Sequence, residues 1–271
     1  MTAADWKPNN ENRLVDAAGK GDLQTVLRLL NSSVDVDCVS GNYTPLLRAA
    51  GHGYKEMVVE LLRHGADVDK PRPDGKTALM AAAAEGVHDC VSVLLDHGAD
   101  IDTKNEKSQQ TALMESAFRG QYTCVSLLIG QSAEIEATDL QGRTALILAV
   151  LMGHHASASA LIQAGAMIDV QCKQGRTAYH WACVRGHAEC VEALLEAGCR
   201  TDIKDKLGKL PEDNLASLSG EIRSVIESFK TKAKEKEAMA AERDLLDQLE
   251  QVNFHPGRVP LLSSQSQCVF R

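Results

Sequence analysis

A motif that returns every 33 or 34 residues constrains this chain more than any other feature. Thr-Pro-Leu at Thr44 recurs as Thr-Ala-Leu at Thr77, Thr111 and Thr144, then as Thr-Ala-Tyr at Thr177. A degenerate copy precedes them, with Leu14, Ala17, Ala18 and Gly21 in the places of Leu46, Ala49, Ala50 and Gly53. A worn copy follows at Gly208, Lys209, Leu210 and Pro211. A period of this length means one small supersecondary unit per repeat. Such a unit cannot bury its apolar face alone, so neighbours must stack into one continuous core.

Each column of the repeat has a physical reading. The Thr hydroxyl accepts from an orphan N–H at the start of a short helix, and Pro45 stands at N1, where no amide hydrogen is needed. The small pairs Ala49/Ala50, Ala82/Ala83 and Ala182/Cys183 let successive first helices approach closely. Glycines at 53, 86, 120, 153 and 186 serve the turn into a second helix, and those at 65, 98, 165 and 198 end it. Val58, Val91, Val125 and Val191, each followed one turn later by Leu or Ile, give the second helices an apolar stripe.

The stretches GKTALMAAAAEGVHDCVSVLLDHGADID and GRTAYHWACVRGHAECVEALLEAGCRTD show the pattern best. Through them the chain resembles the ankyrin-repeat family over roughly residues 9 to 228. The resemblance implies an all-α repeat solenoid of stacked units, each a helix-turn-helix plus a β-hairpin loop, and a role in protein binding. The expected organisation is a disordered N-terminus at 1–8, then an ankyrin-repeat domain at 9–228 with about six repeats and a degenerate C-terminal capping repeat. A charged helix at 229–252, with a short coiled coil, and a disordered tail at 253–271 complete it. Polar Asn12, Arg13 and Asp16 suit an N-terminal cap, and Ile222, Val225, Ile226 and Phe229 suit a closing helix. Leu245, Leu246, Leu249 and Val252 make the apolar strip of the charged helix.

Composition removes several function classes. The net charge of −8 provides no dense basic face for nucleic acid. No apolar run approaches the roughly 20 residues that span a bilayer, and MTAADWKPNN lacks the apolar stretch of a signal peptide. Eight cysteines without a CxxC pair suit reduced thiols, hence a cytoplasmic protein that also reaches the nucleus, and a monomer is expected.

Cys90, Cys124 and Cys190 share one repeat column with Met57, Thr25 and Ser157, which marks them as core fillers. Cys172, Cys183 and Cys199 with His180 and His187 match zinc by residue type, but the resemblance places His154 and His187 in turn hydrogen bonds and His180 in a helix-start network. His64 and His97 fall in last helical turns, where the helix dipole favours an imidazole. No metal, cofactor or catalytic constellation stands out from the columns, so the chain is read as a non-enzyme.

The resemblance also implies that loop tips and exposed first-helix positions line a concave groove. Repeat register puts Phe118, Leu151, Met152 and Val184 along its floor, with Arg119, Arg143, Arg176 and Arg185 beside them and Trp181 at an exposed helix position. Earlier repeats offer small or acidic groups there. This pattern suits a protein partner with an acidic segment and an apolar anchor. Two departures from the pattern fall in this region: Gln109 stands where other loops have Gly, and Ser132 replaces a helix-ending Gly. The leading expectation is therefore a scaffold or adaptor. The alternative is a substrate-recruiting subunit of a larger enzyme assembly such as a ubiquitin ligase.

Overall fold

The computed structural model describes residues 10–213 and 220–253. The chain divides into two units, Met1–Val225 and Ile226–Arg271. The first holds six helix pairs: α1 (Asn10–Lys20) with α2 (Leu23–Asn31), α3 (Pro45–His52) with α4 (Lys55–Arg63), and α5 (Ala78–Glu85) with α6 (His88–Asp96). There follow α7 (Ala112–Arg119) with α8 (Tyr122–Gly130), α9 (Ala145–Leu151) with α10 (His155–Gln163), and α11 (Ala178–Arg185) with α12 (Ala188–Glu196). The expected all-α repeat stack is what the chain forms.

First helices pack on first helices from α1 through α11, and second helices on second helices from α4 through α12. The local chemistry explains why each helix begins where it does. The hydroxyls of Thr44, Thr77, Thr111, Thr144 and Thr177 accept from the N–H three residues on, at 3.2 to 3.4 Å. These threonines are themselves buried. The turn glycines have a second reason beyond their left-handed backbone. A Cβ on Gly120 (φ +73) would sit 2.5 Å from Nδ1 of His154, whose Nε2 donates to the Phe118 carbonyl at 3.1 Å. One repeat's side chain thus closes the end of the preceding repeat's helix.

The core between the two rows is made of Leu, Val and Ala, joined by the filler column: Met57, Cys90, Cys124, Ser157 and Cys190 are all buried, while Thr25 is half-buried. Burial pushes the thiols of Cys90 and Cys190 up to about 11.

The loops between pairs are tight turns, and no strand forms among the described residues. Each is closed by a pair of backbone bonds such as Asp139 N–H to Arg143 C=O (3.0 Å) and Gly142 N–H to Asp139 C=O (2.9 Å), too few to build a ladder, and the isolated bridge Ser40–Tyr43 is the nearest approach to one. Successive tips are tied instead: Lys173 N–H donates to Gln141 C=O at 2.8 Å, and Lys206 N–H to Gln174 C=O at 3.0 Å. A column of carboxylates repeats the tie beside the second helices. Asp37, Asp69, Asp102, Glu136 and Asp169 each accept from a backbone N–H of the following repeat, at 2.7 to 3.2 Å. Gln109 (φ +58) and Ser132 (φ +64) adopt the left-handed backbone without glycine. At the first of these, buried Asn105 organises the longer loop by accepting from both Ser108 N–H and its hydroxyl at 2.8 Å.

The last helix is α13 (Gly220–Asn253). Ile222 near its start is buried, whereas Met239 and Leu246 are exposed. The side chains of Leu245, Leu249 and Val252 lie outside the described residues, as do segment 1–8 and all of the expected disordered tail 253–271 except Asn253, which ends α13.

Candidate protein-binding face

The first helices and the loops that precede them build one face of the stack. Two columns of the repeat point their chemistry there: the residue just before each helical Thr, and the residue four after it. The first column reads Tyr43, Lys76, Gln110, Arg143 and Arg176; the second reads Arg48, Ala81, Glu115, Leu148 and Trp181. Residues from the two columns meet. Arg48 lies over the Tyr43 ring at 4.2 Å, Lys76 reaches Glu115 at 3.3 Å, and Arg176 lies over the Trp181 ring at 4.9 Å.

In repeat six, Arg176 also approaches Asp205 of the next loop at 3.4 Å. The loop sequence explains why. Arg143 has an acid in its own loop, Asp139, and pairs with it at 2.7 Å. The corresponding place before Arg176 is Cys172, so Arg176 turns to the following loop. Burial raises the Asp205 carboxyl, but the N–H groups of Lys209 and Leu207 and the Arg176 guanidinium outweigh it and hold the group below its ordinary range. Next to Trp181, burial lowers the pKa of His180. Its Nδ1 accepts from Thr177 N–H at 3.1 Å and its Nε2 faces the Lys209 carbonyl at 3.4 Å, a neutral structural link between repeats.

The remaining expected site residues fall into two groups. Arg119 and Arg185 are exposed, Phe118 is half-buried, and Met152 and Val184 are 43% and 40% exposed. Leu151 is only 7% exposed and packs inward; Arg143 is committed to Asp139. Of the expected set, Arg176 and Trp181 are the two with a direct contact. The loop tips add exposed apolar groups that the register did not single out, Leu140 at 46% and Leu207 at 75%.

Sequence reasoning missed the opposite end of this face. Tyr43, Arg48, His52, Arg72, Lys76 and Glu85 line a cleft of about 360 Å³ between α3 and α5. Tyr43 is held between two guanidinium groups, Arg48 at 4.2 Å and Arg72 at 5.5 Å. Arg72 grips Asp74 side-on, Nε to Oδ1 and Nη2 to Oδ2, both at 2.6 Å. The signal is present in the sequence, since Tyr43 and Arg48 occupy the same two columns as Arg176 and Trp181.

Among the described residues, three buried side-chain polar atoms have no partner: Arg48 Nε, Trp181 Nε1 and Ser157 Oγ. Two of the three belong to one column of this face. A buried donor left unpaired costs about 1–3 kcal/mol, so their coincidence in a single column calls for an explanation.

Among the described residues no group of three or more His, Cys, Asp or Glu is placed to hold a metal ion. Burial pushes Cys183 and Cys199 up to about 12, far from a reactive thiolate. Among them too, no helix is long and apolar enough to cross a membrane.

Comparison with known proteins agrees with the repeat. The family described as ankyrin repeats matches in three copies, over residues 14–105, 65–139 and 113–205. The human ASB11 ankyrin repeat domain is similar in structure, with a TM-score of 0.73 and 26% identity, covering 79% of this chain and 96% of that one. The ankyrin repeat domain of Bcl-3, a member of the IkappaB protein family, gives 0.68 and 27%, covering 79% and 97%. No curated protein sequence matches the chain.

Proposed function

The chain belongs to the ankyrin-repeat family, whose repeats bind protein partners, and from that premise we propose that it is a non-enzymatic scaffold or adaptor. It holds a partner on the face built by its first helices and loops, centred on repeats four to six. The observation that carries this reading is the unpartnered indole N–H of Trp181, in a column whose neighbours include exposed Met152, Val184, Arg119 and Arg185. Once the indole turns enough to uncover its buried N–H, a partner supplies the missing acceptor and covers the apolar groups, while Arg119 and Arg185 favour an acidic segment and speed encounter. Leu151 and Arg143 support this surface from within. Buried thiols and a net charge of −8 suit a cytoplasmic or nuclear protein that leaves nucleic acid alone.

The test pairs capture with surface mutation. Proteins retained by the full chain are identified by mass spectrometry, and each is measured against Trp181→Ala, Phe118→Ala and the outer-helix variant Glu192→Ala. The reading expects loss of binding with the first two and none with the third. Loss confined to Glu192→Ala would move the partner to the second helices.

A further inference from the structure

We propose that the cleft between α3 and α5 is a second docking site, which takes a single carboxylate side chain of an acidic protein segment on Arg48. Three observations lead there. First, the cleft is of a size to admit one side chain with its backbone, about 360 Å³. Second, its arginine and lysine charges are already matched except at one point, and its lining carboxylate, Glu85, is exposed at the rim. Arg72 is paired with Asp74 and Lys76 with Glu115, while among the described residues the Arg48 guanidinium has an aromatic ring and no carboxylate. Third, Nε of Arg48 is covered by protein and lacks any acceptor among those residues.

Geometry and charge then select the occupant. The wall of the same cleft shows how a guanidinium here takes a carboxylate: side-on, through Nε and one Nη, as Arg72 takes Asp74 at 2.6 Å twice. Engaging Arg48 in that way turns its guanidinium on the Tyr43 ring and gives Nε its missing partner. A dianionic phosphate is the wrong match, because among the described residues of the cleft one arginine is uncommitted and Glu85 stands on the rim. A neutral side chain is wrong as well, since it leaves a half-buried cation without a counter-charge. The site is independent of the Trp181 end. Four helix spacings of roughly 8–10 Å separate them, so a short probe reaches one end only.

The experiment uses the full chain with ¹⁵N-labelled arginine and blocked tripeptides as probes: Ac-Gly-Glu-Gly-NH2, its Gln counterpart and its phosphoserine counterpart. The Glu peptide is expected to move the Arg48 Nε–H resonance saturably. The Gln peptide should bind at least about tenfold more weakly, and the phosphoserine peptide no more tightly than Glu. Arg48→Met should abolish the response, and Arg48→Lys, which keeps charge but not the planar fork, should weaken it about tenfold. Thermal melts of both variants check that the repeats remain folded; the wild-type resonance decides the matter even if one of them does not. Trp181→Ala should leave the response intact, which separates this site from the groove of repeats four to six. An unmoved Arg48 resonance, equal response to Gln, or tighter binding of phosphoserine would each overturn the proposal.

Discussion

Repeats two and six place an aromatic ring and an arginine in the same two columns, with the positions exchanged. In repeat two the loop supplies Tyr43 and the helix supplies Arg48; in repeat six the loop supplies Arg176 and the helix supplies Trp181. Both pairs stack, at 4.2 and 4.9 Å. The exchange changes what each end lacks. Where the helix carries arginine, a cation is left without an acid among the described residues. Where it carries tryptophan, the arginine finds Asp205 and an indole N–H is left without an acceptor among those residues. One scaffold position therefore asks for charge at one end and for an apolar anchor with an acceptor at the other.

The largest effect that distinguishes the ends is on binding. Trp181→Ala is expected to weaken a captured partner by about 2–4 kcal/mol, as a central aromatic anchor does, measured by titration calorimetry. Tyr43→Ala should cost about 1 kcal/mol or less, the scale of one exposed cation–π contact. If Tyr43→Ala proved the costlier change, the ranking of the two ends would reverse.

Stability should show the opposite arginine behaviour. Arg176→Met removes the partner of buried Asp205, which keeps its N–H bonds from Leu207 and Lys209. Urea unfolding should register a loss of about 1–3 kcal/mol. Arg48→Met removes a cation–π contact and an unpaired donor together, so the net change should stay within about 1 kcal/mol. Equal losses at the two sites would mean that Arg48 has a structural partner after all.

The smallest difference is one of pH. His180, beside Trp181, has a folded pKa below its ordinary value because of burial, and repeat two has Leu47 in its place. Below the unfolded value of roughly 6.5, the unfolded chain takes up a proton that native His180 refuses. Stability should therefore fall as pH drops through that value toward the folded pKa, and His180→Gln should flatten this part of the profile. A profile unchanged by His180→Gln would remove the histidine from the account.

How much of this is legible in the sequence varies with the physics. The helix starts, the turn glycines and the filler cysteines are readable because each follows from one residue's own backbone or volume, repeated in phase. The fate of the arginines is not, because it depends on a second residue: Arg143 is taken by an acid four positions earlier, while Arg176 escapes only because Cys172 stands there. Leu151 is a further case: register puts it on the groove floor, yet it is buried at 7% exposure, as Ala84 at the same place in α5 is at 2%. The cleft at Tyr43 leaves no mark in apolar bulk, because a cation on a ring shows only when two columns are read together.

The central claim is that a partner completes the Trp181 column, and the indole resonance of Trp181 tests it most directly. The chain has two tryptophans, Trp6 and Trp181, so Trp6→Phe leaves one indole N–H signal in a ¹H–¹⁵N spectrum. Saturation with a captured partner is expected to shift that signal as the N–H gains an acceptor, in step with the binding isotherm. A signal that stays in place while the partner is fully bound would contradict the account.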